Sequence, residues 1–555
     1  YRTYGERAIE VIKQNPYQLA DDIRGIGFQS ADDLARSLGL DPQSLHRARA
    51  AVRYVLQELT YKQGHCGFPE TGVVAEAEQL VSIDRTILEN AIEQEIADEK
   101  LVREKQDDEA WLFLTRLHQA ETELAESVRR ILNTPGHPLP KIDIEAAIGW
   151  VQQKLNIELA SGQQSALHAA CRERLVIITG GPGVGKTTLV RSLLEVFEAK
   201  NLRCVLAAPT GRAAKRMTET TGRPAKTLHR LLEFDPVVFG FKKNAATPLS
   251  GDVFVLDECS MIDVLLAWQF FAAVPENAAV VMVGDVDQLP SVGPGSVLSD
   301  LIHSRQITVA RLTEIFRQAQ SSRIVSAAHA INEGTLPDLE SPPSNLTDFY
   351  FTECDTPEAI ERMIVRLVQE RIPDRFGFSP LTDVQILTPM NGSSLGTRNL
   401  NQVLQAALNP KQKQREVVRF GITYRVGDRV IQTENNYDRN VFNGDLGTVQ
   451  HIDPVEQELL VQFEDREVTY DFTSLDELAL AYVLTIHKSQ GSEYPCVIIP
   501  LHTQHFLMLR RNLLYTGLTR GKQLVIIVGS RKALEIAIGR TETHHRLTTL
   551  AKRLR

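Results

Sequence analysis

Residues Gly180–Thr187 read GGPGVGKT and fit the pattern GxxxxGK[ST]. The apolar run LVIIT precedes them and TLVRSLLEVF follows, so strand, loop and helix come in the order a phosphate-binding loop needs. Gly181, Pro182, Gly183, Val184 and Gly185 are expected to wrap the phosphates of a nucleotide, largely through backbone N–H groups. Lys186 sets a positive charge against the β- and γ-phosphates, and the Thr187 hydroxyl suits Mg²⁺, with Thr188 beside it. Asp257 and Glu258 close the second apolar run VFVL. Asp257 is expected to hold Mg²⁺ through water, and Glu258 to orient or deprotonate an attacking water. Gln163, upstream in LASGQQSAL, carries an amide able to pair with adenine N6 and N7. ATP and Mg²⁺ are therefore the expected cofactors.

These groups need rigid elements behind them. After about residue 150, short apolar runs alternate with helical stretches, which predicts parallel sheets covered on both faces. The runs fall into two sets. Leu175–Thr179, Arg203–Ala207, Val253–Leu256 and Ala279–Val283 form one; Val384–Leu387, Val483–Thr485, Val497–Pro500 and Leu524–Val528 form the other. Between them, from about Phe420 to Leu478, RVGDRVIQ, GDLGTVQHI, ELLVQF and REVTYDF alternate in the manner of a small β-barrel.

The N-terminal 135 residues read as mostly helical. In PYQLADDIRGIGFQSADDLARSLGL (Pro16–Leu40), helix, Gly25-Ile26-Gly27 and helix follow one another as in a helix–hairpin–helix. A helix near Arg85–Glu99 followed by LVREKQDDEAWLFL fits either a winged helix or a small scaffold unit. NTPGHPLP (Asn133–Pro140) reads as a linker.

A chain of 555 residues is too long for one core, and three to five domains are expected. A net charge of −9 argues against a polybasic binder, although a motor can hold a strand in one local groove. Six scattered cysteines without a CxxC pair argue against a zinc ribbon and suit a reducing cytoplasm. His65-Cys66 is read as structural and His544-His545 as a solvated loop. No apolar run reaches membrane-spanning length, and no membrane association is expected. The start at Tyr1 rather than Met suggests a fragment of a longer protein.

Further segments, in order, carry a family resemblance. They are APTGRAAKRM from Ala208, TLHRLL from Thr227, LDECSMID from Leu256, VGDVDQLPSV from Val283, LTEIFRQ from Leu312, LTIHKSQGSEYP from Leu484 and LLYTGLTRGK from Leu513. Together they resemble the motifs of RecD-like superfamily 1 DNA helicases, and the N-terminal region resembles the extra part of their long, stand-alone form. The resemblance covers about residues 150–530. It implies a multidomain α/β fold: two RecA-like P-loop domains with a β-hairpin insert and an SH3-like β-barrel insert, preceded by a mostly helical N-terminal region. The expected bounds are 1–135 for that region and 141–310 for the first RecA-like domain, with a hairpin pin at 234–249. The second RecA-like domain is expected at 311–419 and 479–555, and the barrel at 420–478.

The same resemblance implies ATP between the two α/β domains. Gln288 is similar to a γ-phosphate sensor, Arg317 and Arg520 to arginine fingers, and Glu493 to a residue that reaches the nucleotide sugar. Thr210, Arg212, Lys215, Thr227 and His229 would hold DNA phosphates on the first domain, and Thr485, His487 and Lys488 on the second. Phe239 and Phe241 would arm the hairpin against the terminal base pair. The implied partner is single-stranded DNA and its junctions with duplex, and the implied direction is 5′ to 3′. A monomer working in the bacterial cytoplasm at the nucleoid is expected, alongside single-strand-binding or repair proteins. A helicase acting on RNA, and a non-enzymatic assembly subunit, are the alternatives. The complete set of Lys186, Thr187, Asp257, Glu258, Arg317 and Arg520 argues against the latter.

Overall fold

The computed structural model describes residues 12, 15–23, 26–235, 238, 240–316, 321–340, 346–411, 415–436, 438–464, 466–541 and 545–555. Two parallel sheets form its frame. The first has six strands in the order Thr308–Leu312, Leu175–Gly180, Ala279–Gly284, Val253–Leu256, Cys204–Ala208 and Ala225–Thr227. The second has five: Phe349–Glu353, Gly521–Gly529, Tyr494–Leu501, Val384–Thr388 and Val483–Thr485. Every pairing within both sheets is parallel. The central strands are buried on both faces, which is why they read as unbroken apolar runs.

Three strands escaped the sequence pattern: Ala225–Thr227, Thr308–Leu312 and Phe349–Glu353. All three are sheet edges and only partly buried, so their side chains need not be uniformly apolar. One of them corrects a boundary. Arg311 pairs with Thr179 and Leu312 with Gly180, so the first sheet runs past residue 310.

The antiparallel insert in the second half has five strands, in the order Glu467–Asp471, Glu458–Phe463, Leu446–Asp453, Arg429–Gln432 and Leu478–Leu480. A separate hairpin, Glu416–Arg419 with Ile422–Arg425, precedes them, so strand structure begins before the expected residue 420. In the hairpin of the first half, Phe234 pairs with Phe241 and Asp235 with Gly240 among the described residues, and Leu249 is already buried in the core.

The N-terminal region includes helices Gln18–Asp22 and Phe28–Ser37. Arg24 and Gly25 of the expected turn lie outside the described residues. Helices Glu70–Val81 and Arg85–Ala97 lead into the hairpin Leu101–Gln106 and Glu109–Leu114, the helix-then-hairpin order of a winged helix, and the earlier strand Gly67–Pro69 pairs with Glu109–Leu114 to complete a three-stranded antiparallel sheet. Helix Thr115–Asn133 then lays Leu124, Val128 and Ile131 against Phe270 and Phe271 of the first α/β unit. The segment after it is tied down, because the Arg174 guanidinium donates to the carbonyls of Pro135 and Gly136.

The expected second domain to residue 555 needs one correction. Residues 545–555 leave the second sheet as a strap and dock on the first unit. Leu550 and Leu554 join the core that holds Leu117, Leu301 and Ile302. The buried Glu121 carboxylate accepts the Thr549 N–H and hydroxyl. The Cys66 N–H donates to Leu547 O, and the Leu547 N–H donates to His65 Nδ1 at 2.9 Å. Among the described residues, no helix is long and apolar enough to cross a membrane.

Candidate active site

The phosphate-binding loop joins strand Leu175–Gly180 to helix Lys186–Ala199. Gly183 and Gly185 have φ of +75° and +76°, the left-handed region where side chains are disfavoured. At Gly185 a Cβ would also lie 2.5 Å from Gln163 Nε2 and from the Phe316 ring. The loop can thus turn tightly and leave backbone N–H groups free for phosphates. Lys186 Nζ donates to the carbonyls of Gly180, at 2.5 Å, and Gly181, at 2.8 Å, which holds its charge over the loop. The Phe316 N–H donates to Gly183 O, so the segment carrying the expected finger Arg317 reaches the loop; Arg317 itself lies outside the described residues.

Gln163, expected to contact adenine, braces the phosphate-binding loop. It is buried, its Oε1 accepts the Ala160 N–H at 3.1 Å, and its Nε2 donates to Gly185 O at 3.0 Å. The Nε2 end braces the loop, and the Oε1 end closes the N-terminus of the helix Ser161–Arg172 that carries Gln163.

Asp257 and Glu258 stand at the end of strand Val253–Leu256, facing the same loop. Burial, with the Glu258 charge next to it, pushes the Asp257 carboxyl up to about 6. Asp257 Oδ1 accepts the Glu258 N–H at 2.8 Å. Glu258 has φ +52°, a conformation that costs a non-glycine residue about 1–3 kcal/mol. An acidic pair beside a lysine and a threonine at a positive-φ glycine loop fits Mg²⁺ and a triphosphate. Thr187 and Asp257 are the residues that would hold the ion.

The second sheet closes over this face. Arg520 is buried, and its Nη2 donates to Gln288 Oε1 at 2.7 Å. The Tyr515 hydroxyl donates to Asp285 Oδ2 at 2.8 Å and also borders Gly181. Burial raises the Asp285 carboxyl above its ordinary range. Gly491, at φ +71°, comes so close to the first unit that a Cβ there would meet Thr210 Oγ1 at 2.7 Å. His329 borders Gly181 from helix Arg323–Glu333, and Asn332 on the same helix donates to Asp287 Oδ2 at 2.9 Å. The sequence motifs did not single out Asp285, His329, Asn332 or Tyr515.

Several expected DNA contacts are placed otherwise. Thr210 caps helix Gly211–Thr221, accepting the Ala213 N–H, and its hydroxyl abuts Gly491. Arg212 Nη1 donates to Ser492 Oγ at 2.8 Å and to the Tyr494 hydroxyl at 3.0 Å, so it faces the second unit. Lys215 pairs with Glu464 of the barrel. Thr227 caps the turn Leu228–Leu231. His229 lies between the rings of Phe234 and Phe241, centroids 5.9 and 5.6 Å away, and burial lowers its pKa. Phe241 is therefore at the hairpin base rather than its tip. Phe239 lies outside the described residues, and Val238, 72% exposed, is the apolar tip residue that is described. Thr485 is buried and accepts the Lys488 N–H. His487 is part-buried, its pKa lowered by burial and by Arg510 and Arg546. Lys488 is exposed at a groove of about 690 Å³ that Asn391, Arg398 and Phe420 also line.

Arg216 is the main residue missed. Its Nη1 lies 3.5 Å from Glu258 Oε1, and its Nη2 pairs with Glu493. Glu493 in turn pairs with Lys522 at 3.2 Å. Arg212 and Arg216 sit four residues apart and so on one face of the helix, a signal the sequence did contain.

Over its full length the chain is 34% identical to the ATP-dependent RecD2 DNA helicase of Deinococcus radiodurans, of which it covers 75%. The chain belongs to the RecD2 helicase family. The profile of the ATP-dependent RecD2 DNA helicase HHH domain matches residues 1–67, and that of the ATP-dependent RecD-like DNA helicase SH3 domain matches 400–463. An AAA domain profile matches residues 163–294 and a UvrD-like helicase C-terminal domain profile matches 480–528. The chain is also 30% identical to the RecBCD enzyme subunit RecD of Mycolicibacterium smegmatis, over 80% of this chain and 82% of that one. Among solved structures, Pif1 helicase from Bacteroides in complex with ADP-AlF3 and ssDNA is 20% identical with a TM-score of 0.42, over 69% of this chain and 94% of that one. As a RecD2-type superfamily 1 enzyme, this protein is an ATP-hydrolysing DNA helicase.

Proposed function

We propose that this RecD2-type helicase moves 5′ to 3′ along single-stranded DNA and parts the duplex ahead of it, with Mg²⁺-ATP as fuel. The observation that carries this reading is Arg520, from the second sheet, bonded to Gln288 of the first beside the phosphate-binding loop. A nucleotide there touches both units, so gain and loss of its γ-phosphate is felt by both. Lys186, Thr187 and the loop residues from Gly181 to Thr188 hold the triphosphate. Glu258 orients or deprotonates the attacking water, and Gln288, Arg317 and Arg520 meet the charge that develops. Thr187 and Asp257 would hold Mg²⁺, which would supply positive charge against the phosphates. The polarity rests on the family resemblance.

For the strand, Lys488 at its groove is the best supported contact, followed by His487 and Thr485. The hairpin tip at Val238, on a base of Phe234, His229 and Phe241, forms the pin. The setting is the bacterial cytoplasm, in repair or recombination, with the protein as a monomer. The test is unwinding of two duplexes, one with a 5′ and one with a 3′ single-stranded tail. Opening of the 5′-tailed duplex alone is expected. Opening of the 3′-tailed one alone would reverse the polarity, and ATP turnover stimulated by single strands without opening would make the protein a translocase.

A further inference from the structure

We infer that Arg216 is a positioning residue for ATP hydrolysis, holding the Glu258 carboxylate while being held by Glu493 from the opposite unit. This rests on the reading of Glu258 as the group that orients or deprotonates water.

Four charged side chains run in series across the cleft. Glu258 lies two residues past the strand Val253–Leu256 of the first sheet. Arg216 projects from helix Gly211–Thr221 of the same unit, 3.5 Å from Glu258 Oε1. Glu493 comes from the segment just before strand Tyr494–Leu501 of the second sheet and pairs with Arg216. Lys522, at the start of strand Gly521–Gly529, pairs with Glu493 at 3.2 Å. Signs alternate along the row, so each charge is compensated by its neighbours.

The row differs from a set of surface ion pairs. The Glu258 and Glu493 side chains are only 12% and 18% exposed and Arg216 is 32% exposed, while Lys522, at 54%, stands at the wet end of the row. Pairs held out of water are screened less and orient more strictly than exposed ones. Glu258 also sits in the left-handed backbone region, so its direction is set by surroundings rather than by local preference. A guanidinium suits the task because its planar fork offers two directions at once, one to each carboxylate. Arg212, one turn earlier, bonds to Ser492 and Tyr494 and keeps the helix face registered against the second unit. Movement of the second unit relative to the first therefore pulls on Arg216 through Glu493, and Arg216 passes that on to Glu258. The angle at which Glu258 meets water then depends on how the two units are seated.

The test is steady-state ATP turnover by the full chain, with saturating single-stranded DNA, for Arg216→Gln, Arg216→Lys, Glu493→Gln and the double variant Arg216→Gln/Glu493→Gln. Arg216→Gln is expected to lower kcat about 10-fold or more with KM for ATP changed less than about 3-fold. Arg216→Lys is expected to recover part of the loss. The double variant is expected to fall short of the product of the single effects, because both act through one chain of contacts. A kcat unchanged in Arg216→Gln, or a double variant that multiplies the single effects, overturns the proposal. A Tm held within a few degrees of the parent separates this from unfolding. A variant whose Tm collapses is replaced by Arg216→Lys with Glu493→Asp, where the same coupling is read. Glu258→Gln is the control: turnover that survives it removes the role of Glu258 itself, and the Arg216 proposal falls with that reading rather than by its own failure.

Discussion

Arg520 and Gln288 meet across the cleft, the guanidinium Nη2 donating to the amide Oε1 at 2.7 Å. The same guanidinium donates to the carbonyls of Ser492 and Thr516 and to the Thr519 hydroxyl, so one planar group spans four acceptors. Lysine offers a point charge and cannot reproduce that fork. Arg520→Lys is therefore expected to lower strand-stimulated ATP turnover by about 10³-fold. Turnover within tenfold of the parent would show that Arg520 is a structural tie and not a finger.

Lys186 Nζ is held over the loop by two carbonyls, with Asp257 and Asp285 nearby in the field of its charge. Lys186→Ala removes the cation from the phosphate site without touching the groove at Lys488. Turnover is expected to fall by about 10²-fold or more, while affinity for single strands in the absence of nucleotide stays within a few-fold. Equilibrium binding and ATPase assays on one preparation check both halves.

At the hairpin, the apolar tip and the packed base make separable predictions. Val238 is exposed, whereas Phe241 packs on Phe234 and on the core. Val238→Asp is expected to slow unwinding several-fold and to leave strand-stimulated ATPase and Tm unchanged. Deleting residues 237–245 also removes Phe241, so Tm should drop in that variant. If Val238→Asp unwinds at the parental rate, the tip is not a wedge.

Asp300 provides a pH test of the strap. Burial, with the Glu121 carboxyl close by, pushes its pKa from 3.8 up to about 7, while Thr548, the Ser296 N–H and Arg546 pull it down. Between about 4 and about 7 the folded chain keeps a proton that the unfolded chain has released. Stability contributed at this site therefore falls as pH rises through that window and is flat above it. Asp300→Asn keeps an acceptor for the Thr548 hydroxyl and has nothing to ionise. The variant is expected to match the parent near pH 4 and to exceed it near pH 8 by on the order of a few kcal/mol. Parallel denaturant titrations at the two pH values read the difference, and an equal gap at both would rule out titration of Asp300.

The sequence made the middles of the sheets and the loops at their ends legible, because both are narrow physical demands. A strand buried on both faces must be apolar throughout, as Val253–Leu256 is, and a loop around phosphate needs glycine where Gly183 and Gly185 turn. Edge strands such as Ala225–Thr227 face water and leave no such trace. The roles of single side chains were legible only as far as their partners were local. Gln163 reads as an adenine contact until the fold brings Gly185 to it, and His229 as a phosphate contact until Phe234 and Phe241 enclose it. Arg216 was in plain view within APTGRAAKRM, but Glu493 lies far away in the chain. The strap had no motif at all, since Leu550 and Leu554 make an ordinary amphipathic turn until Leu301 and Ile302 are set beneath them.

The strap also orders events in time. The first unit holds its own six strands by residue 312, yet its core lacks Leu550 and Leu554 until the ribosome has translated the whole second half. At ordinary synthesis rates the delay is on the order of tens of seconds. Throughout it, the apolar seat of the strap is uncovered and the Glu121 carboxylate lacks Thr549. A nascent chain stalled anywhere in that interval carries a formed nucleotide loop on an unfinished body, which makes the unfinished chain a natural target for chaperones and for proteolytic quality control.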